Sequence, residues 1–230
     1  MTCPALCCVP ATGFEADPGM SPQPSPSLTA KGQRTREAIE QAARKLFAER
    51  GFHGTTLADI TSAAGKSSAV FYRYFADKED LLAALAESFL HDVLSSARLS
   101  VQLPESPDDS EFFDSVVTGY WTIFKQNIGI MVAIDQLGAT QQRFAALQNE
   151  FRRFGMDIVA ASVRRAQQQG YGHDLDPQHI AAAIALLFEQ FTTVFGVVPP
   201  GDTTGLGIRI NDRDAIATLS TVWKKTLYGR

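Results

Sequence analysis

Residues 55–75, TTLADITSAAGKSSAVFYRYF, carry the pattern on which the reading of the whole chain turns. Thr56 followed three residues later by Asp59 has the form of a capping box, with Asp in place of the usual Glu or Gln, and predicts a helix start. Leu57, Ile60 and Ala64 give that helix an apolar face, and Gly65 breaks it. Ser67 can cap a second helix, whose packing residues are Val70, Phe71, Tyr74 and Phe75. Two short helices, 57–64 and 67–75, joined by a tight glycine-containing turn have the spacing of a helix-turn-helix. The second is only ~13 Å long at 1.5 Å per residue, too short to persist alone, so its neighbours must hold it. With Phe71 and Phe75 pointing inward, the face formed by Ser67, Ser68, Ala69, Tyr72 and Arg73 is free to enter a major groove ~12 Å wide.

The flanks complete a small head. Upstream, Ile39, Ala43, Leu46 and Phe47 share one face of a helix over 35–50, which Gly51 stops, and Phe52 folds back as the apolar residue after a glycine cap. Downstream, Asp77 with Asp80 opens a longer helix carrying Leu81, Leu82, Leu85, Phe89 and Val93. Residues 1–32, rich in Pro, Ser, Thr, Gly and Ala, show no periodic apolar face and are expected to form a disordered N-terminal arm. Met20 offers an alternative start to Met1. The pattern changes abruptly at Gln33, giving a head over 33–93 with its helix-turn-helix at 56–75, and a body over 94–230.

The body reads as helix throughout. Phe112, Phe113, Val116, Tyr120, Ile123, Phe124 and Asn127 line a face of 109–127, and 128–138 is apolar enough to be buried on all sides. A long helix over 141–169 carries Phe144, Leu147, Phe151, Phe154, Ile158 and Ser162 at spacings of three and four. Asp176 and Pro177 open a helix over 177–196, and a last one spans 211–228. The expected fold is all-α: a three-helix head joined by a long helix to a helical C-terminal domain.

Residues 35–85, TREAIEQAARKLFAERGFHGTTLADITSAAGKSSAVFYRYFADKEDLLAAL, resemble the DNA-binding region of the TetR family of transcriptional regulators nearly end to end. The resemblance rests on an ordered set: the Ala-x-x-Leu-Phe-x-x-x-Gly-Phe run from Ala43 to Phe52, Thr55-Thr56, Asp59-Ile60, Ala64-Gly65, Phe71-Tyr72 with Phe75, and Lys78-Glu79 with Leu81. It implies a sequence-specific DNA-binding regulator, a repressor released from double-stranded operator DNA by a small hydrophobic ligand. Arg73 is the candidate for direct readout, since a guanidinium can bind guanine O6 and N7 together, at ~1–3 kcal/mol of discrimination. Tyr72 matches the family's tyrosine that donates to a phosphate, and Thr56 and Lys78 stand where phosphates pass on either side of the groove. Lys31, Arg34 and Arg36 form a basic arm within reach of the DNA backbone or an adjacent minor groove. Lys66 stands where the family usually has an apolar residue and can reach the surface or a phosphate. Ser68, Ala69 and Val70 replace the usual Lys/Arg, Gly/Ala and Thr, which leaves the operator sequence open.

Reading two half-sites ~34–36 Å apart requires a two-fold dimer. By resemblance the homodimer forms through 177–196 and 211–228, where Ala181, Ala182, Ala183 and Ala185 permit close approach and Phe188 and Trp223 supply anchors. The candidate effector pocket is lined by Trp121, Phe124, Met131, Ile134, Phe151, Phe154 and Phe191, together with Phe144, and Asn127, Asp135, Gln136 or Arg152 serve as polar handles. A packed core is the competing reading of each of these residues.

Bulk properties agree. Residues 31–80 hold nine Lys/Arg against seven Asp/Glu, and the remainder holds 12 against 18, so a mildly basic head sits on an acidic body. Cys3, Cys7 and Cys8 all fall in the first eight residues and cannot staple a core. No signal peptide and no run of ~20 apolar residues is present, so no membrane is expected and the location is cytoplasmic. An enzyme is the first rival: His173, Asp174, Asp176 and His179 could be read as metal ligands, but a loop and helix cap is the plainer account. Gly205-Leu206-Gly207 is too short for a phosphate cradle, and no cofactor or catalytic residue is implied. A helical ligand-binding or scaffold protein without DNA readout is the second rival.

Overall fold

A computed structural model of the chain describes residues 29–97, 103–196 and 206–229. Every regular element among them is helical: α1 (Ala30–Arg50), α2 (Leu57–Ala63), α3 (Ser68–Phe71), α4 (Lys78–Ala97), α5 (Ser110–Gln126), α6 (Ile128–Gly138), α7 (Gln142–Gln168), α8 (Pro177–Phe195) and α9 (Asp212–Tyr228). The three cysteines, Met20 and Gly205 lie outside the described residues.

The helix boundaries follow local chemistry. α1 begins three residues before the expected change at Gln33, because Thr29 Oγ1 accepts the Gly32 amide at 3.2 Å and caps the helix. It ends at Gly51, whose φ of 72° is open to glycine at little steric cost. Gly65 does the same after α2 with φ 62°. Asp176 caps α8 by accepting the Gln178 and His179 amides, both at 2.9 Å, ahead of Pro177. The Asp176–His179 stretch is thus a helix start. Among the described residues no group of three or more His, Cys, Asp or Glu could hold a metal ion.

Two expectations need correction. The second helix of the helix-turn-helix is not regular over 67–75 but spans only Ser68–Phe71. Beyond it the chain tightens into three-residue bonds, from the Arg73 amide to Val70 O (3.3 Å) and from the Tyr74 amide to Phe71 O (2.9 Å). Residues 128–138 are not buried on all sides either. Ile130, Ala133, Ile134 and Leu137 face the interior, while Asp135 and Gln136 are exposed. An apolar run hides which of its sides has neighbours, and here only one does.

Two apolar clusters organise the molecule. The first joins head and body: Ile39 and Phe47 of α1, Ile60, Phe71, Phe75 and Leu81 pack with Ile130 and Ile134 of α6 and Phe144 and Leu147 of α7. The second fills the far end, where Phe112, Phe113, Val163, Phe188, Leu219 and Trp223 meet from α5, α7, α8 and α9. Trp223 is edge-on to Phe112 and Phe113, with centroids 5.4 and 5.3 Å away, and its indole N–H donates to Ser162 Oγ at 3.2 Å. The α7–α8 pair is the most extensive helix contact, followed equally by α5–α9 and α6–α7.

Where α6 crosses α1, Gly129 sits against backbone. A Cβ there would lie 2.5 Å from the Ala48 nitrogen and 2.6 Å from the Phe47 oxygen. Replacing Gly129 by Ala gains up to ~1 kcal/mol of helix propensity. Two backbones cannot yield as a side chain would, and overpacking of this kind costs ~1–3 kcal/mol. Gly129→Ala is therefore expected to lower the midpoint of thermal unfolding; an unchanged or raised midpoint would show that the crossing is looser than the geometry indicates.

Candidate nucleic-acid interface

The exposed side of the head is built from its caps outward. At the start of α2, the Thr56 amide donates to Asp59 Oδ2 at 2.9 Å and the Asp59 amide donates to Thr56 Oγ1 at 3.2 Å, so both halves of the capping box are made. Hydrogen bonds from Thr56, helped by the charge of Arg50, hold the Asp59 carboxyl below the usual carboxylate range. At the start of α3, Ser67 Oγ accepts the Val70 amide at 3.3 Å. At the start of α4, the Asp80 amide donates to Asp77 Oδ1 (2.6 Å) and the Ala76 amide donates to Asp80 Oδ2 (3.1 Å).

These caps fix α3 with Phe71 fully buried and Phe75 nearly so, while Ser67, Ser68, Ala69, Tyr72 and Arg73 face solvent. Tyr72 is 60% exposed, although its ring stands edge-on to Phe71 at 5.6 Å. An exposed tyrosine beside a buried phenylalanine has its base fixed and its hydroxyl free to reach outward. Thr56 and Arg34 are also exposed, and Lys66 is half-buried.

Lys78 is placed differently from expectation. Its ammonium donates to the carbonyls of Phe52 and Thr55, both at 2.8 Å, and lies 4.1 Å from the centroid of the Phe52 ring. Two of its three protons are thus spent joining the start of α4 to the loop between α1 and α2. Arg36 also leaves the expected basic arm: it pairs with Glu40 at 2.8 Å and lies 5.3 Å over the Phe75 ring. Thr55, which the sequence marks only as part of a motif, is fully buried, and its hydroxyl donates to the Gly51 carbonyl at 2.8 Å.

The residues singled out in the body separate between the two clusters. Ile134 and Phe151 belong to the first, Trp121 and Phe191 to the second, and Phe124 is buried beside Tyr120. Met131 and Phe154 are half-buried. Phe151 stacks near Phe89 of α4 at 5.0 Å, and Phe191 lies between Trp121 (6.3 Å) and Phe195 (4.6 Å). Three of the four polar handles are engaged: Arg152 makes two 2.7 Å bonds to Glu189, Asp135 accepts from Gln148 at 2.7 Å, and Asn127 accepts from Arg44 at 3.0 Å, while Gln136 is exposed. The two anchors expected at a dimer face are internal, since Trp223 is 1% and Phe188 7% exposed, and Ala181 is buried with them. The exposed side chains of α8 and α9 include Ala183, Leu186, Leu187, Ala217, Thr221 and Val222, beside polar Gln190, Asp214 and Thr218.

Two outcomes test this geometry. Lys78→Met leaves two interior carbonyls without their charged donor and is expected to destabilise the fold by ~2 kcal/mol in a denaturant titration; a loss within error would refute the interior role. The capping box is expected to fail in acid. A carboxyl held below its ordinary pKa stabilises the fold above that ordinary value, ~3.9, and the contribution disappears as pH falls through the lower folded value. The unfolding midpoint should therefore drop more steeply below pH ~4 in the wild type than in Asp59→Asn.

Comparison with known proteins agrees with this geometry. Residues 39–85 match the model of the bacterial regulatory proteins of the tetR family. The chain is 30% identical over 151 residues to the HTH-type transcriptional repressor KstR2 of Rhodococcus jostii (strain RHA1), covering 63% of this chain and 72% of that protein. It is 26% identical over 200 residues to the HTH-type transcriptional regulator EthR of Mycobacterium tuberculosis (strain CDC 1551 / Oshkosh), covering 84% and 86%. A crystal structure of a tetR-family regulatory protein from Rhodococcus RHA1 superposes with a TM-score of 0.63 at 22% identity, covering 84% of this chain and 97% of that one. The chain belongs to the TetR family and is a helix-turn-helix DNA-binding transcriptional regulator, not an enzyme.

Proposed function

We propose that the chain represses transcription as a cytoplasmic homodimer, reading double-stranded operator DNA with α3 and releasing it when a small hydrophobic effector binds the body. The observation that carries the DNA reading is the solvent-facing surface of Ser67, Ser68, Ala69, Tyr72 and Arg73 on α3 and the turn after it, whose other side, Phe71 and Phe75, is locked in the core. Arg73 reads a base edge, Tyr72 and Thr56 donate to phosphates, and Arg34 and Lys66 add backbone contacts. Lys78 contributes its one uncommitted proton at most. Ser68 and Ala69 are small, so they set how closely α3 approaches the bases and add little readout of their own. The functional division follows the head over 33–93 and the body over 94–230. No described helix is long and apolar enough to cross a membrane.

Support for the dimer comes from the apolar stripe of Ala183, Leu186 and Leu187 on α8 and the small exposed residues of α9, with Leu186 51% exposed. Support for the effector comes from the half-buried aromatics Phe151, Phe154 and Phe191 on α7 and α8, beside buried Trp121, Phe124 and Ile134 and half-buried Met131. Such a ligand relieves repression only by binding the DNA-incompetent arrangement more tightly than the competent one.

Tyr72→Phe combined with Arg73→Ala should weaken binding to duplexes recovered from genomic fragments by ten- to a hundredfold, roughly the loss of one base contact, and flatten the salt dependence. Unchanged affinity and slope in an anisotropy titration would remove α3 from the groove. Leu186→Glu with Leu187→Glu should convert the dimer to a monomer at micromolar concentration in sedimentation velocity; a wild type that is already monomeric would refute the dimer.

A further inference from the structure

The junction of α5 and α6 holds a small polar device that the DNA-binding face does not use. Asn127 is at once the C-cap of α5 and the N-cap position of α6, yet its side chain makes no capping bond to α6. Its amide nitrogen donates to Ile123 O at 3.0 Å, one turn back in α5, and its amide oxygen accepts from Arg44 Nη1 of α1, also at 3.0 Å. One side chain therefore ties the end of α5 to the first helix of the head. Arg44 is half-buried, and burial lowers the pKa of its guanidinium against the opposing charges of Glu40 on α1 and Asp92 on α4. Two residues further along, Gly129 brings the α6 backbone against the Phe47–Ala48 backbone, closer than any side chain would allow.

The crossing is not packed on every side. A cleft of about 370 Å³, bordered by Arg50, Phe52, Ile128, Val132 and Gln136, opens beside Gly129. With this flank open, the angle between α1 and α6 depends on the apolar cluster on the other flank, where Ile39 and Phe47 meet Ile130 and Ile134, together with the glycine contact and the Arg44–Asn127 bond. α1 is also the helix against which α2 packs. A change in that angle therefore carries the helix-turn-helix with it.

We infer that Arg44, Asn127 and Gly129 form the joint that fixes the angle of the DNA-binding head on the body, with Arg44 and Asn127 acting as positioning residues for operator binding. The inference rests on the reading of the chain as a dimer that engages two half-sites. A head that docks on a single half-site needs no particular angle. Two heads docking together do, because the second binding event is intramolecular and its effective concentration depends on where the first leaves its partner. Loosening the joint lowers that effective concentration and leaves the contacts of each head with DNA untouched.

The test compares full-site with single-half-site duplexes, using an operator selected by the wild-type protein from random-sequence DNA. Arg44→Met and Asn127→Ala should each lower affinity for the full site by about tenfold and leave half-site affinity within about twofold. Asn127→Asp, which retains the acceptor for Arg44 and loses the donor to Ile123 O, should give a ratio between those of the wild type and Asn127→Ala. Circular dichroism and sedimentation of every variant confirm that folding and dimerisation are intact, so that a fallen ratio reports on position. Equal losses on full and half sites, or a full-site affinity that does not change, would overturn the joint. A wild type that prefers the full site no more than the half site would instead overturn the two-half-site reading, and this inference with it.

Discussion

Burial of Phe71 and Phe75 is the constraint on which the DNA-binding end depends. A four-residue helix forms almost no internal hydrogen bonds, and nucleation costs far more than so short a segment returns. α3 exists because Phe71 at its end and Phe75 just beyond it enter a cluster supplied by α1, α4, α6 and α7. Full burial of one such side chain contributes ~1.5–3 kcal/mol, which outweighs the local deficit. The consequence is structural dependence: the reading surface inherits its orientation from a core that also contains Ile130, Ile134 and Phe144 of the body.

Polar contacts then refine what the core permits, and they differ in weight. Lys78 bonds two interior carbonyls and stacks on Phe52, and charge-assisted bonds of this kind contribute ~1.5–3 kcal/mol where they are sheltered. Arg143 joins α7 to Asp80 and Glu87 of α4 at 3.2 and 3.5 Å, but half of its side chain is in water, so each of those pairs adds ~0–1 kcal/mol. The head is therefore held mainly by apolar packing and by Lys78. The more conspicuous surface ion pairs set a preference for geometry and little stability.

The helices of the head were legible because short-range chemistry dictates them. Thr56 with Asp59, Ser67, Gly51 and Gly65 each act within one turn, and the sequence contains all that such a cap or break needs. The inward turn of Phe71 and Phe75 followed from periodicity alone. The fate of Lys78 was not legible, since its partners are carbonyls 23 and 26 residues away and any lysine at a helix start reads as a surface cation. Trp223 misled for a related reason. Large aromatics suit an interface and a core equally well, and only the arrival of Phe112, Phe113 and Ser162 from two other helices decides between them. The aromatic set of the body was visible as composition, whereas its division between two clusters depends on how α5, α7 and α8 cross.

That division limits how a body can speak to its head. The second cluster, with Phe113, Val163 and Trp223, shares no side chain with the first. A ligand that strains it reaches Phe71 only through helices that belong to both. α7 is one: Phe144 and Leu147 lie in the first cluster and Val159, Val163 and Ala166 in the second. From Phe144 to Ala166 it spans about 33 Å at 1.5 Å per residue, and a single continuous helix transmits a shift or a rotation along that length better than a loop does. The other route is the α5–α6 break at Asn127. α5 is anchored in the second cluster and α6 in the first, and the two meet at the residue that bonds Arg44 of the head. A rigid α7 can move the first cluster as a block, whereas a break can change its angle. On the proposed dimer, a ligand that lowers DNA affinity would act through the second kind of motion, because the spacing of two reading heads is a matter of angle before it is a matter of contact.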